Sequence, residues 1–111
     1  MLNVSESTRI NIVFPSEEIV DFCRRWQIRE LSLFGSVLRD DFGPDGDIDV
    51  LVTFAEQAQW TLLDHVDMQT ELAHILTRKV DLVSRRGVES SRNYLRRNEI
   101  LETAEVVYAI E

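Results

Sequence analysis

The chain has 111 residues, 44% hydrophobic and 29% charged, a mixture suited to one layered core and at odds with disorder along its whole length. Its formal charge of -8 disfavours non-specific nucleic-acid binding, which draws on an excess of Lys and Arg. The lone cysteine, Cys23, excludes an internal disulfide, and neither a basic-then-apolar opening nor an apolar run of about eighteen residues occurs, so the cytoplasm is the expected location.

Residues 1–14 begin polar and end in Ile10, Ile12, Val13 and Phe14, which predicts a loose start over 1–10 and a docked end. Pro15-Ser16-Glu17-Glu18 then opens a helix: Pro suits an early position, Ser16 offers a capping hydroxyl, and acids favour the positive end of the helix dipole. That helix is expected to reach about Trp26, with Ile19, Cys23 and Trp26 on its inner stripe. Glu30 to Phe34 alternates polar and apolar residues, as a half-buried strand does, and runs into Gly35-Ser36. The glycines, proline and aspartates of Arg39 to Gly46 predict a loop.

Asp47 to Phe54 reads as a second strand, with Ile48, Val50 and Val52 on one side and Asp47, Asp49 and Leu51 on the other. Trp60 to Leu76 follows as a helix with Leu62, Val66, Leu72 and Leu76 near one stripe. Val80 to Val83 supplies a third strand that contains Asp81. A further helix is expected from Glu89, interrupted before Val106-Val107-Tyr108, and the arginines 85, 86, 92, 96 and 97 read as a solvated basic face. Strands alternating with helices, without a repeat or low-complexity linker, predict an α/β (α+β) fold: one domain over 1–111 with a small mixed sheet flanked by helices.

The unit that carries chemistry is Gly35-Ser36, ten intervening residues, then Asp47-Ile48-Asp49. Aspartate is disfavoured in strands, yet here two stand two apart in an apolar run and project from one face. A divalent cation offsets such repulsion; Mg²⁺ takes one or two carboxylates and completes its shell with water and phosphate oxygens. Gly35 lets the backbone approach an anion, Ser36 offers hydroxyl and amide donors, and Arg39 is a permanent cation for phosphates. Asp81, flanked by apolar residues as Asp49 is, supplies a third carboxylate for the metal site or a general base.

Rival patterns fail at particular residues. Asp45, Asp47, Asp49 and Glu56 mimic an EF-hand loop, but Val50 occupies the position that needs Gly. No Gly-Lys-Ser or Gly-Lys-Thr forms a P-loop. His65 and His74, nine apart, turn to nearly opposite helix faces and read as ordinary helix residues.

Leu-Phe-Gly-Ser, the ten-residue gap and Asp-Ile-Asp-Val-Leu-Val, with Arg39 and Asp81, resemble the minimal nucleotidyltransferases of the DNA polymerase β superfamily, particularly the MntA-type antitoxins encoded with HEPN toxins. The resemblance covers most of the chain and implies a polymerase-palm-like fold. It also implies ATP as substrate and two Mg²⁺ ions, with Asp47, Asp49 and Asp81 as catalytic metal ligands and Gly35, Ser36 and Arg39 at the nucleotide. As partner it implies a HEPN toxin ribonuclease that receives AMP on a tyrosine and is silenced. Gly46 stands where a Ser commonly precedes the first aspartate, and Asp40 where a small residue is usual; both bear on triphosphate binding. The alternative is an antitoxin that neutralises the toxin by binding alone. Transfer to RNA or a small molecule fits the acidic balance less well.

Overall fold

The structure, a computed structural model, describes residues 2–4, 15–39, 43 and 46–110. Five strands form one sheet: β1 (Leu2–Val4), β2 (Ile28–Phe34), β3 (Ile48–Phe54), β4 (Val80–Ser84) and β5 (Glu105–Ile110). Their order is β1-β5-β2-β3-β4. Only β3 and β4 are parallel, joined through helix α2 (Leu62–Leu76); the other neighbours are antiparallel. Helix α1 (Ser16–Arg25) precedes β2, and α3 (Arg85–Glu89) and α4 (Tyr94–Thr103) lie between β4 and β5. This is the mixed sheet with flanking helices that the sequence predicts. Among the described residues no helix is long and apolar enough to cross a membrane.

The two faces of the sheet carry separate apolar clusters. On one, Ile19, Phe22 and Cys23 of α1 and Met68, Leu72 and Leu76 of α2 pack with Ile48, Val50 and Val52 of β3 and with Leu31 and Leu33 of β2. Each fully buried Val, Leu, Ile or Phe contributes about 1.5–3 kcal/mol relative to exposure, so this larger cluster dominates stability. On the opposite face Phe34 and Leu51 meet Val88 of α3 and Ile100 of α4. Period-two alternation along β3 accounts for the division, since Asp49 and Leu51 share the face opposite Val50.

The ends of α1 follow local chemistry only in part. Glu17 and Glu18 lie in its first turn and Arg24 and Arg25 in its last, but Pro15 is the N-cap, with no side-chain capping bond. Trp26 ends the helix and packs against the core rather than entering it. Its indole stands edge-on to Trp60 at 5.1 Å, and its Nε1 donates to Glu71 Oε1 at 3.0 Å. Arg25 grips both Glu71 oxygens and donates to Asp21 Oδ2 at 2.9 Å, tying α1 to α2. Cys23 is buried, as expected, and burial pushes its thiol up to about 12.

Three expectations need correction. Leu62 and Val66 are exposed, because the buried stripe of α2 is Met68, Leu72 and Leu76; a Thr61–Asp64 capping box starts the helix with Leu62 outside the core. The helix expected from Glu89 is α4, which opens at Tyr94 after the short α3 and stops before Val106 as read; Val106-Val107-Tyr108 then belongs to β5, between β1 and β2. The chain start, expected loose, contributes β1 at the sheet edge, paired with β5. The predicted docking of Ile10 to Phe14 and most of the predicted 39–46 loop lie outside the described residues.

Candidate functional site

Strand β2 ends at Phe34, and Gly35 turns the chain at φ +76 into a 3₁₀ turn over Gly35–Leu38. A positive φ strains L-residues and suits glycine. Register pairs Phe34 with Asp49 across β2 and β3, which brings the turn over the aspartate. A Cβ on Gly35 would overlap Asp49 Oδ2 and lie 3.4 Å from its Cγ. The missing side chain is therefore the space in which the Asp49 carboxylate sits.

Ser36 Oγ donates to the Asp47 carbonyl at 3.4 Å, linking the turn to the segment that leads into β3. Asp47 precedes the strand rather than opening it, and is exposed. Arg78, between α2 and β4, donates to the Gly43 and Gly46 carbonyls at 2.6 and 2.9 Å. Ile48 N–H donates to Lys79 O at 2.9 Å. These bonds fix the backbone on either side of Asp47. Arg39 follows the turn, exposed, its N–H donating to Ser36 O at 2.9 Å. Asp40 lies outside the described residues.

Parallel register pairs Asp49 with Asp81, and neighbouring strands stand about 4.8 Å apart, so both side chains leave the same face side by side. Asp49 is half-buried and Asp81 exposed. Burial holds the Asp49 carboxyl above its ordinary range, Asp81 and then Asp47 push it further, and Arg96 opposes them. Among the described residues no three His, Cys, Asp or Glu side chains close into a cation cage. The site is an open end of the sheet where carboxylates on adjacent strands repel one another beside a glycine-serine turn. That donor set fits Mg²⁺, which uses one or two carboxylates and leaves its remaining positions to water and phosphate.

Arg96, read from sequence as part of a solvated face, belongs to this site. Ile100, one turn further along the same helix, packs over Phe34 and Leu51, and Arg96 is close enough to Asp49 to pull its carboxyl back down. Arg96 and Arg97 also line a cavity of about 330 Å³ with His65, Val83, Ser84, Val88 and Ser91. Neither arginine carries a local signal, because their placement depends on how α4 crosses the sheet. His65 accepts an ordinary structural role, its Nε2 hydrogen-bonded with Leu82 O at 2.7 Å, and His74 is exposed.

A glycine-serine turn beside strand-borne aspartates on a mixed sheet is the setting of nucleotidyl transfer chemistry. The family model for the nucleotidyltransferase domain matches residues 16–107, and the chain belongs to that family. It is 35% identical over 66 residues to the protein adenylyltransferase MntA of Thermococcus cleftensis, a match that covers 60% of this chain and 65% of that relative's length. A solved structure assigned provisionally as a minimal nucleotidyltransferase shares 36% identity, with a TM-score of 0.61 over 80% of this chain and 85% of that one. The fold also recurs, at 22% identity and a TM-score of 0.58 over 85% and 69% of the two chains, in a complex of a tri-AMPylated Shewanella oneidensis HEPN toxin with its MNT antitoxin.

Proposed function

We propose that the chain is one Mg²⁺-dependent nucleotidyltransferase unit that acts as a cytoplasmic antitoxin, moving AMP from ATP to a tyrosine hydroxyl of a partner HEPN toxin ribonuclease. The observation that carries this reading is the fit of Gly35 against the Asp49 carboxylate, which brings an anion-binding turn and a carboxylate group to one end of the sheet. The name of the Thermococcus relative and the AMPylated toxin in the Shewanella complex support the direction of transfer.

In this mechanism the Ser36 hydroxyl and the Arg39 guanidinium bind the triphosphate tail, and Gly35 lets it approach the backbone. Asp47, Asp49 and Asp81 would hold Mg²⁺, which when bound neutralises phosphate charge and stabilises the entering and leaving oxygens. Asp81 accepts the phenol proton as the tyrosine oxygen forms a bond to the α-phosphorus. The bond from that phosphorus to the α,β-bridging oxygen breaks, and pyrophosphate departs with the electron pair. The products are the tyrosyl-AMP phosphodiester and pyrophosphate.

The decisive experiment incubates the chain and its HEPN partner with Mg²⁺ and ATP and weighs the partner intact. Wild type is expected to add the mass of AMP, and the double variant Asp47→Asn, Asp49→Asn to add none while keeping its circular dichroism spectrum. Continued transfer by that variant rejects the mechanism. A complex that forms without any mass gain identifies an antitoxin that works by binding alone.

A further inference from the structure

We infer that the cavity between β4, α2, α3 and α4 is the acceptor subsite, and that it receives a tyrosine side chain presented on an acidic polypeptide surface. The inference rests on the nucleotidyl-transfer reading above. Across the sheet the order is Gly35-Ser36 at the end of β2, Asp49 on β3, Asp81 on β4, then the cavity. In-line displacement sets the entering and leaving oxygens on opposite sides of the phosphorus. With the leaving pyrophosphate held at the glycine-serine turn, the entering hydroxyl must approach from the β4 side.

The cavity lies on that side, against β4. Val83 lines it and lies two residues beyond Asp81 on the same face of β4, a step of about 7 Å along a strand. Its walls divide by chemistry: Val83, Val88 and Ile100 are apolar, and Ser84, Ser91, Arg96 and Arg97 are polar. A volume of about 330 Å³ is small for a ligand site, in the range that suits one aromatic side chain. Arg96 lines the cavity and is also close enough to Asp49 to act on its carboxylate, so it joins the ring site to the carboxylate group.

The rim indicates the kind of partner. Leu62 lies one turn before His65, and Tyr94 one turn before Arg97, and these two apolar residues are 79% and 65% exposed. Arg97 stacks on the Tyr94 ring at 4.6 Å. In a chain of net charge -8, Arg96 and Arg97 make the wall of this cavity locally basic, whereas Arg85 and Arg86 line a separate hollow in which Arg85 pairs with Glu30. An apolar rim with locally reversed charge matches a polypeptide surface bearing Asp or Glu around its tyrosine.

Two measurements test this. First, amide shifts of the wild-type chain are mapped with N-acetyl-tyrosinamide in the presence of Mg²⁺ and AMP-PNP, and separately with the nucleotide alone. Tyrosinamide is expected to move Val83, Ser84, Val88 and Ile100, and the nucleotide to move Gly35, Ser36 and Asp49. Tyrosinamide shifts confined elsewhere, or a nucleotide that moves the cavity residues as strongly as the turn, overturn the assignment. Second, Ser91→Trp fills the cavity: AMP transfer to the HEPN partner is expected to fall at least about tenfold, a loss of about 1.4 kcal/mol in transition-state stabilisation, with the Kd for Mg²⁺-ATP unchanged. Equal losses of both would make the cavity a nucleoside site, and unchanged transfer would remove it from the reaction. If wild type transfers no AMP, the proposed function fails, and the tyrosinamide map alone decides the subsite.

Discussion

Replacing Gly35 with Ala separates two strains that coincide at the site. An L-residue in a left-handed conformation costs about 1–2 kcal/mol, and the φ of +76 at Gly35 calls for that cost wherever Asp49 points. The new Cβ also collides with Asp49 Oδ2, and driving the carboxylate off its rotamer adds about 0.5–1.5 kcal/mol. Gly35→Ala is therefore expected to lower stability by roughly 2–3 kcal/mol. In an Asp49→Ala background the carboxylate is gone and the remaining Asp49 Cβ, at 3.7 Å, is in ordinary contact. There the same substitution should cost only about 1–2 kcal/mol. Urea titration of the four proteins of this cycle gives the coupling, expected near 1 kcal/mol against an additivity error of about 0.3–0.5 kcal/mol, provided the m-values agree. Equal cost in both backgrounds would show that Gly35 is needed for its φ alone and that the glycine-aspartate fit is incidental.

Asp49→Asn should stabilise the fold at neutral pH while abolishing transfer. Folding holds the Asp49 carboxyl above its ordinary value of 3.8, chiefly by burial, then by Asp81 and Asp47. The stability this favours is complete below 3.8 and is lost as pH rises through the raised folded value. Asparagine cannot ionise, so the Tm of the variant relative to wild type should climb from acid to neutral pH; a gap that stays flat across that range contradicts the electrostatic account. Saturating Mg²⁺-ATP should raise the Tm of wild type and leave the Asp47→Asn, Asp49→Asn protein unmoved, and equal shifts in both would mean that the nucleotide is held without those carboxylates. His65 and Gln69 bond the outward C=O and N–H of Leu82 on edge strand β4 at 2.7 and 3.0 Å. Removing both with His65→Ala, Gln69→Ala exposes a pairing edge and should produce self-association in sedimentation velocity; a strictly monomeric variant would show that the helix alone shields that edge.

What was legible in the sequence follows from how far apart its determinants lie along the chain. Asp49, Gly35 and Ser36 declare themselves because strand alternation sets which face a residue takes, and a glycine at a strand end reports a special backbone conformation within its own neighbourhood; Asp47 was legible through its spacing from Asp49, although it precedes β3. Asp81 was legible as a carboxylate within a strand, but its pairing with Asp49 was not, because alternation fixes neither the order of strands nor their direction and register. The stripe of α2 was read correctly at Leu72 and Leu76 and wrongly at its start: Leu62 and Val66 are as apolar as Met68, and periodicity alone does not say where the helix first meets the sheet. Strand β5 escaped because three consecutive apolar residues, Val106 to Tyr108, suit helix or strand equally, and the choice is made by pairing with β2 more than seventy residues away. Arg96 was the hardest. Its basic run reads as solvated surface, and it reaches Asp49 only because Ile100 seats α4 on Phe34 and Leu51. The carboxylates and the glycine turn are thus set by the strands that bear them. The acceptor side of the site depends on where the smaller core seats α3 and α4, so substitutions at Val88 or Ile100 should reach the chemistry through Arg96 before they unfold the sheet.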